Sequence, residues 1–93
     1  MDMMVNTTYL NKEAKAWVKR KSGPDEIVRV IPEVELTGAG RCYYLYTAFD
    51  THPDELGRIL FDAQGYWIYD GNLLSVDEQE QVARFIINYV EVF

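Results

Sequence analysis

The sequence predicts an α+β domain: a mostly antiparallel sheet of about four strands, or five if the N-terminal segment is itself a strand, packed by a C-terminal amphipathic helix, with a further helix near the N-terminus. Three observations carry that reading. Val28, Val30, Val34 and Leu36 alternate with Arg29, Glu33 and Glu35, the two-residue period of a half-buried strand. Two apolar runs, 56–61 and 66–69, flank Asp62-Ala63-Gln64-Gly65, whose final glycine suits the left-handed position of a hairpin loop. Finally, Ser75-Val76-Asp77-Glu78 is a capping box, in which the serine hydroxyl accepts from the third helical amide and the glutamate reaches back to the serine amide.

The remaining elements follow in chain order. Residues 1–7 carry no period and read as a flexible lead, since termini fray unless docked; residues 8–93 then form one domain. Between Thr8 and Lys21, Leu10, Ala14, Trp17 and Val18 recur at helical spacing ahead of Gly23-Pro24, which predicts a helix. The alternative is a strand over Ala14–Arg20, turned through Ser22-Gly23-Pro24-Asp25 into the next segment. Pro32 marks the strand over 27–36 as an edge or bulged strand, because proline cannot donate to a ladder. The turn Thr37-Gly38-Ala39-Gly40 leads into 41–49, apolar or aromatic on both parities and therefore the expected central strand, covered on both faces. Thr51-His52-Pro53-Asp54-Glu55 has the cap, proline and acids of one helical turn. From Ser75 onward, Val82, Phe85, Ile86, Tyr89, Val90 and Phe93 form a single stripe; at 1.5–3 kcal/mol per buried side chain it would contribute on the order of 10 kcal/mol before entropic discounts. Val76, Ala83, Ile87 and Val92 widen the apolar arc to roughly 200°, more than one flat sheet covers.

Bulk properties narrow the function classes. A chain of 93 residues buries about 60–65% of its unfolded surface and supports one core. With 48% hydrophobic and 26% charged residues it has a globular composition. The net charge of −6 is unevenly placed, residues 1–49 summing to +1 and residues 50–93 to −7. Such a field repels phosphate backbones and anionic lipid, so neither direct nucleic-acid binding nor a membrane is expected. The lone Cys42 excludes an internal disulfide, and the N-terminus has neither the basic region nor the apolar run of a signal peptide; a cytoplasmic location is the expectation.

The chemistry-bearing residues are sparse. His52, with Asp50, Asp54 and Glu55, is the densest polar cluster, but a general base needs an orienting partner and a nucleophile, and Cys42 lies at the far end of a strand. One cysteine and one histidine fall short of a structural zinc site. Asp62, Gln64 and Asp70 do not follow the calcium-loop spacing. The glycines at 38 and 40 lack the lysine and strand-to-helix context of a phosphate loop. Lys12, Lys15, Lys19, Arg20 and Lys21 read as a solvated face, and Tyr43, Tyr44 and Tyr46 as packing for the sheet. No catalytic residue, metal or cofactor is assigned.

The expectation that remains is a non-catalytic protein-interaction or accessory module, homodimeric or bound to another protein. Its candidate interface is Trp67, Tyr69, Val76, Ala83 and Ile87, because exposed aromatic residues are favoured interface anchors. The alternatives are an acidic decoy of a nucleic-acid-binding protein, using Asp54, Glu55, Asp70, Asp77, Glu78, Glu80 and Glu91 as a phosphate mimic, and an enzyme built on the His52 loop.

Overall fold

The computed structural model describes residues 5–33, 40–49 and 51–92, with backbone alone for residues 5–8 and 90–92. Its elements run β1 (Val5–Thr8), β2 (Ala14–Val18), β3 (Glu26–Pro32), β4 (Arg41–Thr47), β5 (Glu55–Phe61), β6 (Trp67–Asp70), α1 (Val76–Ile87) and β7 (Tyr89–Val92). Strands β2 to β6 form an antiparallel sheet in sequence order, and β1 pairs with β7 as a separate two-stranded ribbon. The α+β class and the five-stranded sheet therefore hold, with β4 central as expected; it is not covered on both faces, because Tyr43 and Leu45 are buried against the helix layer while Cys42, Tyr44 and Tyr46 on the other parity are only half-buried.

Several local readings are corrected. The N-terminal helix over 8–21 does not form. Ala16 and Val18 are buried while Lys15 and Trp17 are exposed, so period two wins, and Ala14–Val18 pairs antiparallel with β3 through the 22–25 turn. Helical spacing had put Trp17 and Val18 on one stripe; the sheet sends them to opposite faces. Val5–Thr8, which overlaps the 1–7 segment read as a flexible lead at residues 5–7, forms β1, with Val5 opposite Val92 and Thr8 opposite Tyr89.

At the other end, α1 stops at Ile87. Asn88 caps it in a non-helical conformation, its amide donating to the Arg84 carbonyl at 2.9 Å, and the β-branched and aromatic run Tyr89–Val92 pairs with β1 instead of extending the helix. Phe93 lies outside the described residues, as do Val34–Leu36, the 37–39 turn and Asp50.

Strand β3 is internal rather than an edge. Glu33 donates to the Cys42 carbonyl at 2.9 Å, which makes 33 and 42 a hydrogen-bonded pair and turns the nitrogen of Pro32 away from β4. On that other side the register Ala14 opposite Val30 sets Pro32 opposite Lys12, beyond the start of β2. The missing donor is thus tolerated at a strand end. The 51–55 segment is not helical: Thr47 and Asp54 close the β4–β5 connection, Thr47 N–H donating to the Asp54 carbonyl at 3.0 Å and Asp54 N–H to Thr47 Oγ1 at 2.9 Å, and Glu55 already belongs to β5.

The core lies between one sheet face and α1. Val28, Val30, Tyr43, Leu45, Ile59 and Phe61 come from the sheet, and Val82, Ala83 and Ile86 from the helix, with Leu10 and Leu74 filling between them. Leu10 is pinned on three sides. Its N–H donates to the Ile86 carbonyl at 2.9 Å, its C=O accepts from the buried Tyr43 hydroxyl at 2.7 Å, and its side chain is fully enclosed. Tyr43 and Tyr9 each meet Phe61 edge-to-face, with ring centroids 5.7 and 5.3 Å apart, the arrangement that aromatic quadrupoles favour.

The helix is tied to the sheet edge by Gln81. Its side-chain carbonyl accepts from Lys19 N–H at 2.8 Å and its amide donates to the Lys19 carbonyl at 2.7 Å, so it completes both backbone groups just past the end of β2. Glu78 serves twice: Oε1 accepts from Ser75 N–H at 2.8 Å in the expected capping box, and Oε2 lies 3.0 Å from Arg20 Nε. The geometry of that second contact is an ion pair rather than a directed hydrogen bond. Arg20 also reaches Glu26 at 3.2 Å.

The β5–β6 hairpin forms as expected. Asp62 N–H donates to the Tyr66 carbonyl at 2.9 Å, Gly65 takes φ +91°, and Asp62 Oδ1 accepts from the amides of Gln64 and Tyr66 at 2.9 Å each. A bulge between Leu45 and Tyr46 shifts the β4–β5 register at Gly57, which has φ +114°. The Tyr69 ring lies across this glycine, where a Cβ would meet the Asp70 carbonyl at 2.7 Å and the ring at 2.8 Å. The Tyr69 hydroxyl donates to the Leu56 carbonyl and accepts from Leu73 and Leu74 amides at 3.3 Å, which fixes the approach to α1.

Tyr43→Phe leaves the Leu10 carbonyl buried without its donor and is expected to cost about 1–3 kcal/mol in urea unfolding. Burial holds the Tyr43 phenol above its ordinary pKa. A raised folded value means that this stabilisation is complete below the unfolded pKa of about 10 and is lost as pH rises through the folded value, so the melting temperature falls above about pH 10, less steeply in the phenylalanine variant. Gly57→Ala combines the positive φ with backbone overlap; a loss of less than about 1 kcal/mol in the same unfolding measurement would contradict the close approach of Tyr69.

Candidate interaction surface

One face of the five-stranded sheet packs on α1; the other has no layer over it among the described residues. Strand parity decides what it presents. From β2 come Lys15 and Trp17, from β3 Ile27, Arg29 and Ile31, from β4 Cys42, Tyr44 and Tyr46, from β5 Arg58 and Leu60, and from β6 Ile68 and Asp70. Trp17, on the β2 edge, is 67% exposed and Ile68, on the β6 edge, 66%; Tyr66, just before β6, is 74% exposed and Phe49, just after β4, 78%. Large apolar side chains held in water mark an interaction site where they join into a continuous patch, and on this face the half-buried Ile27, Ile31, Tyr44, Tyr46 and Leu60 lie on the strands between the two exposed edges.

The two arginines of this face each lie beside a carboxylate, and Lys15 lies over an aromatic ring. Arg58 Nε donates to Asp70 Oδ2 at 2.9 Å, directly across the β5–β6 ladder, and Asp70 holds the guanidinium above its usual pKa. Tyr44 donates to Glu33 Oε1 at 3.0 Å, which pushes the phenol up. Arg29 lies 3.6 Å from Glu13 and 5.9 Å from the Tyr46 ring centroid, and Lys15 Nζ is 5.6 Å from that of Phe49. Trp17 Nε1 donates to Asp25 Oδ2 at 3.0 Å, the main reason that this carboxyl sits below the ordinary range. A face with paired charges and exposed rings presents apolar area at little desolvation cost.

Cys42 shares the face but is not activated. Burial first, then the Glu33 carboxylate, raises its thiol pKa, whereas a nucleophilic cysteine needs the thiolate. About 17 Å of extended strand separates Cys42 from Thr47, where the His52 loop begins. His52, Asp54 and Glu55 are all exposed, and no group of three or more His, Cys, Asp or Glu residues suited to a metal occurs among the described residues. A cleft of about 410 Å³ lies elsewhere, at the sheet end, lined by Leu10, Lys12, Pro32, Arg41 and Cys42 among others.

The sequence-chosen interface residues do not form one exposed surface. Trp67 and Tyr69 are half-buried on the helix side of β6 and pack against the core, Ala83 is enclosed within it, and Ile87 is half-buried beside it; Val76 alone is freely exposed, at 69%. Sequence parity correctly split Trp67 and Tyr69 from Tyr66 and Ile68 but could not say which pair faced the helix. Trp17 was hidden by the helical reading of its segment, and the exposure of Phe49, at φ +66°, has no sequence signal that we can identify. Three of the seven acids proposed as a mimic have local roles: Asp70 pairs with Arg58, Glu78 caps α1 and meets Arg20, and Asp77 accepts from Gln81 Nε2 at 3.0 Å.

No helix among the described residues is long and apolar enough to cross a membrane. Comparison with family models, curated proteins and solved structures finds no match for this chain.

Because Trp17 and Ile68 are exposed on this face, Trp17→Ser and Ile68→Lys are each expected to change the unfolding free energy of the single chain, measured at high dilution, by no more than about 1 kcal/mol. Losses beyond about 2 kcal/mol in chemical denaturation would place these side chains in the fold's own packing instead.

Proposed function

We propose that the protein is a non-catalytic interaction module that engages another protein chain through the helix-free face of its sheet. The observation that carries this reading is the exposure of Trp17 and Phe49 towards the β2 side of that face and of Ile68 and Tyr66 at its β6 edge, on a scaffold whose other face is closed by α1. Aromatic residues with a polar tip are efficient anchors, because they bury large area while ordering few torsions. The raised Cys42 thiol pKa and the exposed setting of His52 offer no support for the alternative of an enzyme. The local roles of Asp70, Asp77 and Glu78 account for those charges without a phosphate mimic.

The test is quantitative capture with the folded protein as bait. A partner retained at near-equal stoichiometry by the wild type is expected to be lost with Trp17→Ser/Phe49→Ser and kept with Val76→Ser, an equally exposed change on the helix. A partner held equally by all three, or released by the helix variant alone, would sink the reading. High salt is expected to leave capture intact, since apolar contact is not screened; capture abolished at about 0.5 M salt would instead favour the acidic decoy.

A further inference from the structure

Among the described residues, strand β6 ends the sheet and pairs on one side only. The bond from Asp62 N–H to the Tyr66 carbonyl makes 62 and 66 a hydrogen-bonded pair, so the two-residue period continues through Leu60 with Ile68 and Arg58 with Asp70. Trp67 and Tyr69 therefore aim their N–H and C=O groups away from β5, at the open side.

Natural sheet edges are blunted by proline, lysine, bulges or covering elements. The opposite edge is treated that way, with Lys15 on β2 and Gln81 occupying both backbone groups of Lys19. Strand β6 has no proline or lysine, its ladder to β5 runs without a register shift, and its sole charged residue is Asp70. Beside it lies a cleft of about 270 Å³ lined by Leu60, Phe61, Asp62, Tyr66, Trp67 and Ile68.

We propose that a second copy of this chain occupies this edge: the two β6 strands pair antiparallel about a two-fold axis through Ile68, joining the sheets into one of ten strands. The strand's own pattern favours that occupant. With the axis at Ile68, segment 66–70 overlaps itself completely, Trp67 of one copy meets Tyr69 of the other, and the outward N–H and C=O groups of both form four backbone bonds. Ile68 faces Ile68, and Tyr66 faces Asp70, so a phenol stands opposite a carboxylate. The two Asp70 side chains are then about 14 Å apart along the strand, beyond the roughly 8 Å screening length at physiological salt. Moving the axis to Trp67 runs the pairing into the Gly65 turn, and moving it to Tyr69 sets Ile68 against Asp70. An axis normal to the sheet keeps both open faces on one side and doubles the surface proposed above. The inference concerns the strand edge rather than the open face, and goes beyond the reading proposed above without depending on it.

Light scattering after size-exclusion chromatography, with loading raised through the micromolar range, is expected to show twice the chain mass. Ile68→Lys, at an exposed position, is expected to return the single mass with an unchanged circular dichroism spectrum, and Val76→Lys to retain the double mass. Register is read by oxidation in a Cys42→Ser background. Ile68→Cys is expected to crosslink two copies, because non-hydrogen-bonded pairs bring Cα atoms to about 4.5 Å, within disulfide reach; Asp70→Cys is not. A single mass at every loading, a double mass kept by Ile68→Lys, or equal crosslinking at both positions would each overturn the proposal. If the mass stays single while Trp17→Ser/Phe49→Ser still loses a captured partner, the edge pairing fails and the interaction module stands. If the mass doubles while capture ignores that variant, the dimer stands and the open-face reading fails.

Discussion

The fold depends on how Leu10 is held. This residue sits in the link between the β1–β7 ribbon and the main sheet, with its amide on the last turn of α1, its carbonyl on Tyr43 of the central strand, and its side chain in the core. A connecting segment normally lies on the surface because buried backbone groups must find partners. Here they do, and the link becomes a rivet through ribbon, helix and sheet. Tyr43 is consequently more than a core aromatic. Its ring fills space against Phe61, and its hydroxyl satisfies a carbonyl that would otherwise oppose burial.

A single helix cannot cover both faces of a five-stranded sheet, so the placement of α1 also decides which face is left to water. Gln81 and the Arg20 pairs with Glu26 and Glu78 bind the helix to the β2 side of the sheet. At the β6 side, the Tyr69 hydroxyl gathers Leu56, Leu73 and Leu74 and fixes the entry to the helix. The face turned away carries paired charges among exposed rings, a composition that water tolerates and a partner can bury. Order in the free protein comes from the core side, so the contact surface is preorganised, which lowers the entropic cost of association.

The elements that read correctly from sequence are those whose signal is complete within a few residues. The Asp62–Gly65 hairpin and the Ser75–Glu78 cap each close their own hydrogen bonds locally, so no distant contact is needed to choose them. The burial of Val28 and Val30 followed from alternation in the same way. By contrast, Ala14–Val18 satisfies both a helical and an extended pattern, and the tail after Ile87 continues a helical stripe while being rich in β-branched and aromatic residues. In both places the deciding partner is remote: β3 for the first and β1 for the second. The interaction surface was legible only in part, because alternation separates two faces without labelling them.

By itself, then, the sequence determined the class, one core, the secure hairpin and the start of α1, since local geometry and burial period suffice for these. Only the tertiary structure decided that the segment 14–18 is extended, that Tyr89–Val92 forms a ribbon strand, and that Trp17, Tyr66 and Ile68 rather than Trp67 and Tyr69 stand in water. The physical reason is the same in each case. Strand pairing and helix docking are contacts between segments far apart in the chain, and their free energy exceeds the local preferences that a reading along the sequence can weigh.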